Sequence, residues 1–391
     1  MVHWSPFMTE LELTTNVGLE SFVVEEWRER AAHLPGCDAG LTPGRAAGRV
    51  RISADAPQDA VVELALQMRT VHHLLRMVDE FELDADAPME GIRRRLAAVD
   101  IRELDQGSTD TSFRVTSERS GVHDFTSIDV QKAAGAGILD RIERPVRMKA
   151  FDVEVRCDVR HSRVKVAVQL TRKSLAKRHD RPFRPRIALK ANVSWAMLAL
   201  ARPPDLPAPK AVLDPCCGSG TVLLEAADRW PDCLLLGSDT SEMCVDGTQD
   251  NFAQGPHLDR LQTELVDARS LDVAWKGQLV DTVVSNLPFG RKLGQRIHHY
   301  WFAVDLLGAI ARVTEPGARV VLLTDKRREL NTAVGQTDCF TVRFVRIIDM
   351  GGIHPGIFLL DRLDAPAPPP RERPEGAEPH TARPVKDRPK G

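Results

Sequence analysis

Ala211-Val-Leu-Asp-Pro-Cys-Cys-Gly-Ser-Gly-Thr-Val-Leu-Leu-Glu-Ala-Ala227 reads as a short buried strand, a glycine turn and the opening of a helix. Asp214 closes the apolar run. Gly218 and Gly220 remove the Cβ atoms that would hold a ligand away from the backbone, and the helix begins at Thr221. No Gly-Lys-Ser/Thr follows, which excludes a nucleoside-triphosphate P-loop, and the dinucleotide fingerprint G-x-G-x-x-G is not met. Taken alone, such a turn serves tight strand-to-helix packing as well as ligand binding.

The downstream sequence favours the ligand. Cys233-Leu-Leu-Leu-Gly-Ser-Asp239 is an apolar strand ending in an acid, about 25 residues after Asp214, where a doubly wound fold offers a carboxylate to ribose hydroxyls. Thr263-Glu-Leu-Val-Asp267 repeats the pattern. Leu279-Val-Asp-Thr-Val-Val-Ser-Asn286 repeats it again and runs straight into Leu287-Pro288-Phe289-Gly290. Ligands of open α/β sheets bind outside the carboxyl ends of the strands, so polar residues at successive ends converge on one crevice.

These residues carry a resemblance. Asp-Pro-x-Cys-Gly-Ser-Gly-Thr, the acids of the next two strands and Asn-Leu-Pro-Phe-Gly together resemble a class I S-adenosylmethionine-dependent methyltransferase, of the branch that methylates exocyclic amino groups of bases. The resemblance implies a Rossmann-like α/β domain that binds S-adenosylmethionine through Asp214, Cys216, Gly218, Gly220, Thr221, Asp239, Asp267 and Asn286. It places the chemistry on Asn286, Leu287, Pro288 and Phe289.

The 391 residues carry a formal net charge of −2 and ordinary apolar content, which fits a soluble multidomain protein and gives no bias toward disorder or membranes. The amino terminus lacks a charged and then apolar leader, and no later run is long enough to span a bilayer, so cytoplasm is the expected location. Seven scattered cysteines without C-x-x-C spacing point to neither a disulfide framework nor a metal site.

Upstream, residues 8 to about 85 read as a small α+β layer. Met8–Leu13 alternates, Leu19–Ala32 is a helix, Gly48–Ile52 is a strand, and Val61–Val78 places an apolar stripe at helical spacing. His72 and His73 lie beside that stripe and read as partly exposed histidines. A second α+β unit follows from about Pro88 to Ser174, with helices over Met89–Val99 and Ile128–Ile142 and a strand over Ser112–Thr116. Phe151–Val159 pairs with Val164–Thr171 in a hairpin whose clean alternation predicts one buried face. Phe113-Arg-Val-Thr-Ser-Glu-Arg, Asp124-Phe-Thr-Ser and the helix carrying Gly135 and Gly137 resemble the THUMP RNA-binding domain. The region before it resembles the ferredoxin-like domain that accompanies THUMP. The expected division is 1–86 ferredoxin-like, 87–176 THUMP, 177–363 linker and methyltransferase, and 364–391 a disordered Pro-rich tail.

Arg172, Lys173, Lys177, Arg178, Arg181, Arg184, Arg186 and Lys190 face the single acid Asp180, a local positive surface in a nearly neutral protein. A solvated linker is the plain reading of such a run. Beside a base-modifying domain, phosphate becomes the expected partner, with Arg291 and Lys292 joining the RNA-binding set.

The order of parts resembles tRNA guanine-N2 methyltransferases, especially those acting on the acceptor stem, and implies tRNA as substrate. Nothing in the sequence indicates the small activating subunit that some methyltransferases need. Three features depart from the family pattern: Cys216-Cys217 in place of one cysteine, Asn286 where relatives often carry Asp, and Trp195 in the helix leading into the fold. The rival readings are the same chemistry on ribosomal RNA guanine or a DNA amino group, and a non-catalytic RNA-binding module.

Overall fold

Two sheets organise the chain, and a computed structural model describes residues 8–41, 47–185, 188–288 and 298–371. The chain divides into two units, one comprising the start to Thr15 with Val23–Leu175, the other Asn16–Phe22 with everything from Ala176.

The first unit runs β1 (Met8–Thr14), α1 (Glu20–Arg30), β2 (Asp38–Leu41), β3 (Arg49–Asp55), α2 (Gln58–Leu66) and β4 (His73–Glu82). It continues with α3 (Pro88–Ala98), α4 (Arg102–Asp105), β5 (Phe113–Thr116), β6 (Arg119–Ser120), α5 (Ser127–Arg141), β7 (Val153–Arg160) and β8 (Arg163–Gln169). The strands form one sheet, ordered β2-β3-β1-β4-β8-β7-β5, with β6 beside β7. The expected boundary at 86/87 falls after β4, and β4 pairs antiparallel with β8, so the sheet crosses it. One core gathers Leu11, Trp27, Ile52 and Leu74. Another gathers Ile92, Phe113, Val155 and Val166. Thr126 and Asp129 form a reciprocal capping box that starts α5. Gly137 lets α5 meet α3 closely, since a Cβ there would lie 2.3 Å from the Arg93 carbonyl oxygen.

Two expectations are corrected here. The stripe Val61–Val78 is not one helix: α2 ends at Leu66 and β4 starts at His73. The cause is non-local. Glu26 accepts the backbone N–H groups of Arg69 (2.8 Å) and Thr70 (2.9 Å) and the Thr70 hydroxyl (2.6 Å), turning the chain out of the helix so that β4 pairs with β1. Strand β7 of the hairpin is buried on both faces, not one: Glu154, Arg156 and Asp158 are buried with the valines, while β8 keeps Arg163 exposed. Their charges are paired, Arg49 with Asp158 at 3.1 Å, Arg156 with Asp158 and Glu118 at 3.0 Å each, which is the condition for burying ions. His72 and His73 bond the hydroxyls of Ser174 and Thr171, each at 2.9 Å.

The second unit comprises α6 (Ala191–Ala201), β9 (Ala211–Asp214), α7 (Thr221–Arg229), β10 (Leu234–Asp239), α8 (Glu242–Phe252), β11 (Leu261–Leu265), α9 (Leu271–Ala274) and β12 (Val280–Asn286). It closes with α10 (His299–Val313), β13 (Thr314–Thr324), α11 (Arg327–Gln336), β14 (Phe340–Ile347) and β15 (Gly356–Arg362). The sheet order is β11-β10-β9-β12-β13-β15-β14. Strands β9 to β13 are parallel and β15 is antiparallel to β13. Such a sheet is covered on both faces, so β9 is buried along its whole length. Strand order reverses between β9 and β12, and that switch point is where α/β sheets open a crevice.

The tail expectation is also corrected over residues 364–371, which pack on this unit. Arg312 donates to the Pro368 carbonyl (3.0 Å), and Arg371 pairs with Asp305 (2.6 Å) beneath a cation–π contact with Trp301 at 4.1 Å. Arg362 likewise donates to the Ala365 carbonyl at 2.8 Å. The remainder of the tail lies outside the described residues.

Candidate active site

The site grows from the carboxyl ends of β9, β10 and β12. Asp214 is 1% exposed and accepts the Ser285 hydroxyl at 2.7 Å and the Cys216 N–H at 3.1 Å. Burial pushes its pKa up to about 7, against the pull of those two donors. Asp239 accepts the N–H groups of Gly218 and Ser241, both at 3.0 Å, and burial raises its pKa as well. The glycine turn is therefore held between two strand-end carboxylates. Gly218 (φ 57°) and Gly220 (φ 71°) sit in the left-handed region. A Cβ on Gly220 would come within 2.7 Å of Thr248, whereas one on Gly218 would point into open space. Cys217 is buried behind the turn, and Cys216 is partly exposed.

Asp267 follows β11 and is engaged locally. Arg269 donates its backbone N–H (2.9 Å) and its Nε (2.8 Å) to Asp267 Oδ1, and the ion pair holds the Arg269 pKa up. Asn286 ends β12, and its Oδ1 is buried with no hydrogen-bond partner among the described residues. The next residue is pinned, because the Leu287 N–H donates to the Leu323 carbonyl at 3.0 Å. Leu287 and Pro288 then border a small cleft with His299, Phe302, Thr324 and Lys326. Phe289, Arg291, Lys292 and Arg186, all named from the sequence, lie outside the described residues.

The basic segment divides. Arg172, Lys173, Lys177 and Lys190 are exposed. Arg178 instead pairs with the fully buried Glu225 of α7 at 2.9 Å, and Arg181 donates to the Thr221 hydroxyl at 2.5 Å. Burial lowers the Arg181 pKa, helped by Arg184. Arg184 is half-exposed and donates to the carbonyls of Arg181 and His179. Reading every cation of this run as a phosphate contact is thus corrected for Arg178 and Arg181, which bind the domain's own polar groups. Sequence reasoning also passed over Ser285, Glu225, Thr248 and Asn251. Only Ser285 had a signal, its place beside Asn286 at a strand end.

Seven strands in this order, a glycine turn and polar strand ends at the switch point define a class I methyltransferase, a fold whose members use S-adenosylmethionine. The residues fit that cofactor: acceptor carboxylates stand at the strand ends beside the glycine turn, and Gly218 leaves backbone open to a ligand. The family model described as the RMKL-like methyltransferase domain matches residues 178–352, and the THUMP domain model matches residues 88–169. A tRNA (guanine(6)-N2)-methyltransferase from Thermus thermophilus is 33% identical over 90% of this chain and 99% of its own. The crystal structure of TrmN from Thermus thermophilus superposes with a TM-score of 0.73 at 32% identity, over 91% of this chain and 100% of that one. The tRNA (guanine(6)-N(2))-methyltransferase THUMP3 of Mus musculus is 28% identical over 68% of this chain, which spans about half (54%) of that longer relative. SMU.472 complexed with SAH has the same fold, with a TM-score of 0.73 at 17% identity over 92% of this chain and 99% of that one. The chain belongs to the THUMP-domain family of tRNA guanine-N2 methyltransferases. Among the described residues no helix is long and apolar enough to cross a membrane.

Proposed function

We propose that the protein methylates the exocyclic N2 amine of a guanosine in the tRNA acceptor stem, at position 6 as in the relatives' names. The observation that carries this reading is Asn286 Oδ1. A buried amide oxygen without a partner costs stability unless a ligand supplies the donor, and an exocyclic amine is such a donor.

Bound S-adenosylmethionine supplies an activated methyl group on a sulfonium. The chain's task is then positioning, because the amine lone pair is delocalised into the guanine ring. Asn286 Oδ1 and the Leu287 carbonyl accept the two amine hydrogens and turn the lone pair outward. Asp239 holds ribose hydroxyls, Asp267 meets the adenine amine, and Asp214 supports the turn that lies against the cofactor. Cys216, Gly218, Gly220 and Thr221 supply the backbone of that turn. Phe289 offers a ring for an extruded base, a contact worth about 1–3 kcal/mol. Arg172, Lys173, Lys177 and Arg184 serve the tRNA phosphates, with Arg186, Arg291 and Lys292 assigned to them from the sequence alone. The site of action is the cytoplasm.

The test is incubation of an unmodified tRNA transcript with S-adenosylmethionine and the protein, followed by nucleoside and fragment mass spectrometry. N2-methylguanosine at position 6 is expected. Methylation of a ribosomal subunit or duplex DNA but not of tRNA would overturn the assignment.

A further inference from the structure

The segment read from the sequence as a basic linker is bound to the glycine turn and to the helix that opens from it. Buried Glu225, on the helix that opens from the turn, receives Arg178 (2.9 Å) and His179 (2.6 Å) on one carboxylate oxygen. Arg181 reaches Thr221, the first residue of that helix. Asn251 makes the most direct link. Its carboxamide accepts the Phe183 N–H (3.0 Å) and donates to both the Phe183 carbonyl (2.9 Å) and the Ser219 carbonyl (3.0 Å) inside the turn. The Phe183 ring fills the space above Gly247, where a Cβ would lie 2.2 Å from it.

The contacts fall on α7, at its first residue Thr221 and one turn on at Glu225, and on Asn251 near the carboxyl end of α8. One side chain, Asn251, thus joins segment and turn, while Lys177 and Lys190 leave the same segment exposed to solvent. We propose that residues 178–183 are a latch that holds the glycine turn ready for its ligand, with Glu225 and Asn251 as positioning residues, so that tRNA phosphate on the outward cations raises cofactor affinity. The inference rests on the cofactor assignment above. Coupling of two sites through a shared element is reciprocal, so bound cofactor raises tRNA affinity by the same factor.

The experiment is calorimetric titration of the full chain with S-adenosylhomocysteine, with and without an unmodified tRNA transcript. The unsubstituted protein binds more tightly when tRNA is present. Asn251→Ala and Glu225→Gln weaken binding about tenfold and abolish the tRNA-dependent gain. His179→Gln, a milder change at the edge of the latch, carries the same test should Glu225→Gln not fold, and raises KM for S-adenosylmethionine more than it lowers kcat. A merely structural role would lower the melting temperature while leaving affinity and coupling within twofold, and that result overturns the latch alone. Failure of the unsubstituted chain to bind S-adenosylhomocysteine would overturn the cofactor assignment, and the latch with it.

Discussion

The Ser285 hydroxyl donates to the buried carboxylate of Asp214 at 2.7 Å, joining the two strands between which the sheet changes direction. The bond ties the strand that opens the glycine turn to the strand that ends in Asn286. It also leaves a carboxylate far from water whose partners among the described residues are the neutral Ser285 hydroxyl and Cys216 N–H, which makes its charge conditional on pH.

Stability should register that charge. The folded-state pKa of Asp214 is raised to about 7 from 3.8, so its protonated form is favoured in the fold. The contribution is fully present below about pH 4 and is lost as pH rises through about 7, reaching on the order of 4 kcal/mol. Asp214→Asn removes this dependence. Melting curves of the ligand-free protein should show the variant gaining on the parent between pH 5 and 8, and a pH-independent difference would place the titration elsewhere.

Cofactor affinity should rest on Asp239. Its carboxylate already holds the Gly218 N–H, so Asp239→Ala removes both a ligand contact and a support of the turn. Binding of S-adenosylhomocysteine should weaken by about 1.5–3 kcal/mol, the range for hydrogen bonds to charged groups. Unchanged affinity by calorimetry would take Asp239 out of the site.

Turnover, rather than binding, should respond to Asn286. Replacement by Ala deletes the acceptor facing the amine and leaves the turn and the phosphate contacts in place. Single-turnover rates on tRNA should fall on the order of 100-fold, comparable to loss of one preorganised polar group, with little change in tRNA affinity. A parental rate would move amine recognition off the tetrapeptide.

Phosphate contacts should follow exposure. Charge reversal at Lys177 and Arg184 should weaken tRNA binding and reduce the slope of log affinity against log salt by about 2. An unaltered slope would mean that these side chains are only solvated. Reversal at Arg178 or Arg181 should instead damage cofactor binding, since both lie against α7.

The methyltransferase half was legible because its signals are local. Short apolar runs end in Asp214, Asp239 and Asn286, the glycines announce a turn that only they accommodate, and Leu287-Pro288 follows without interruption. Chain order and the geometry of parallel sheets then bring those ends together. Tertiary structure decided the rest. The apolar spacing of Val61–Val78 suits a helix, yet Glu26, more than forty positions away from Thr70, breaks it, and no local pattern encodes that partner. The charges of β7 alternate as if facing water and are buried because residues outside the hairpin pair with them, Arg49 with Asp158, Glu118 with Arg156 and Arg114 with Glu154. Arg178 and Arg181 are indistinguishable from their basic neighbours by composition. Only the fold presents Glu225 and Thr221 to them, because a charge finds its partner through space, and sequence separation says nothing about that distance.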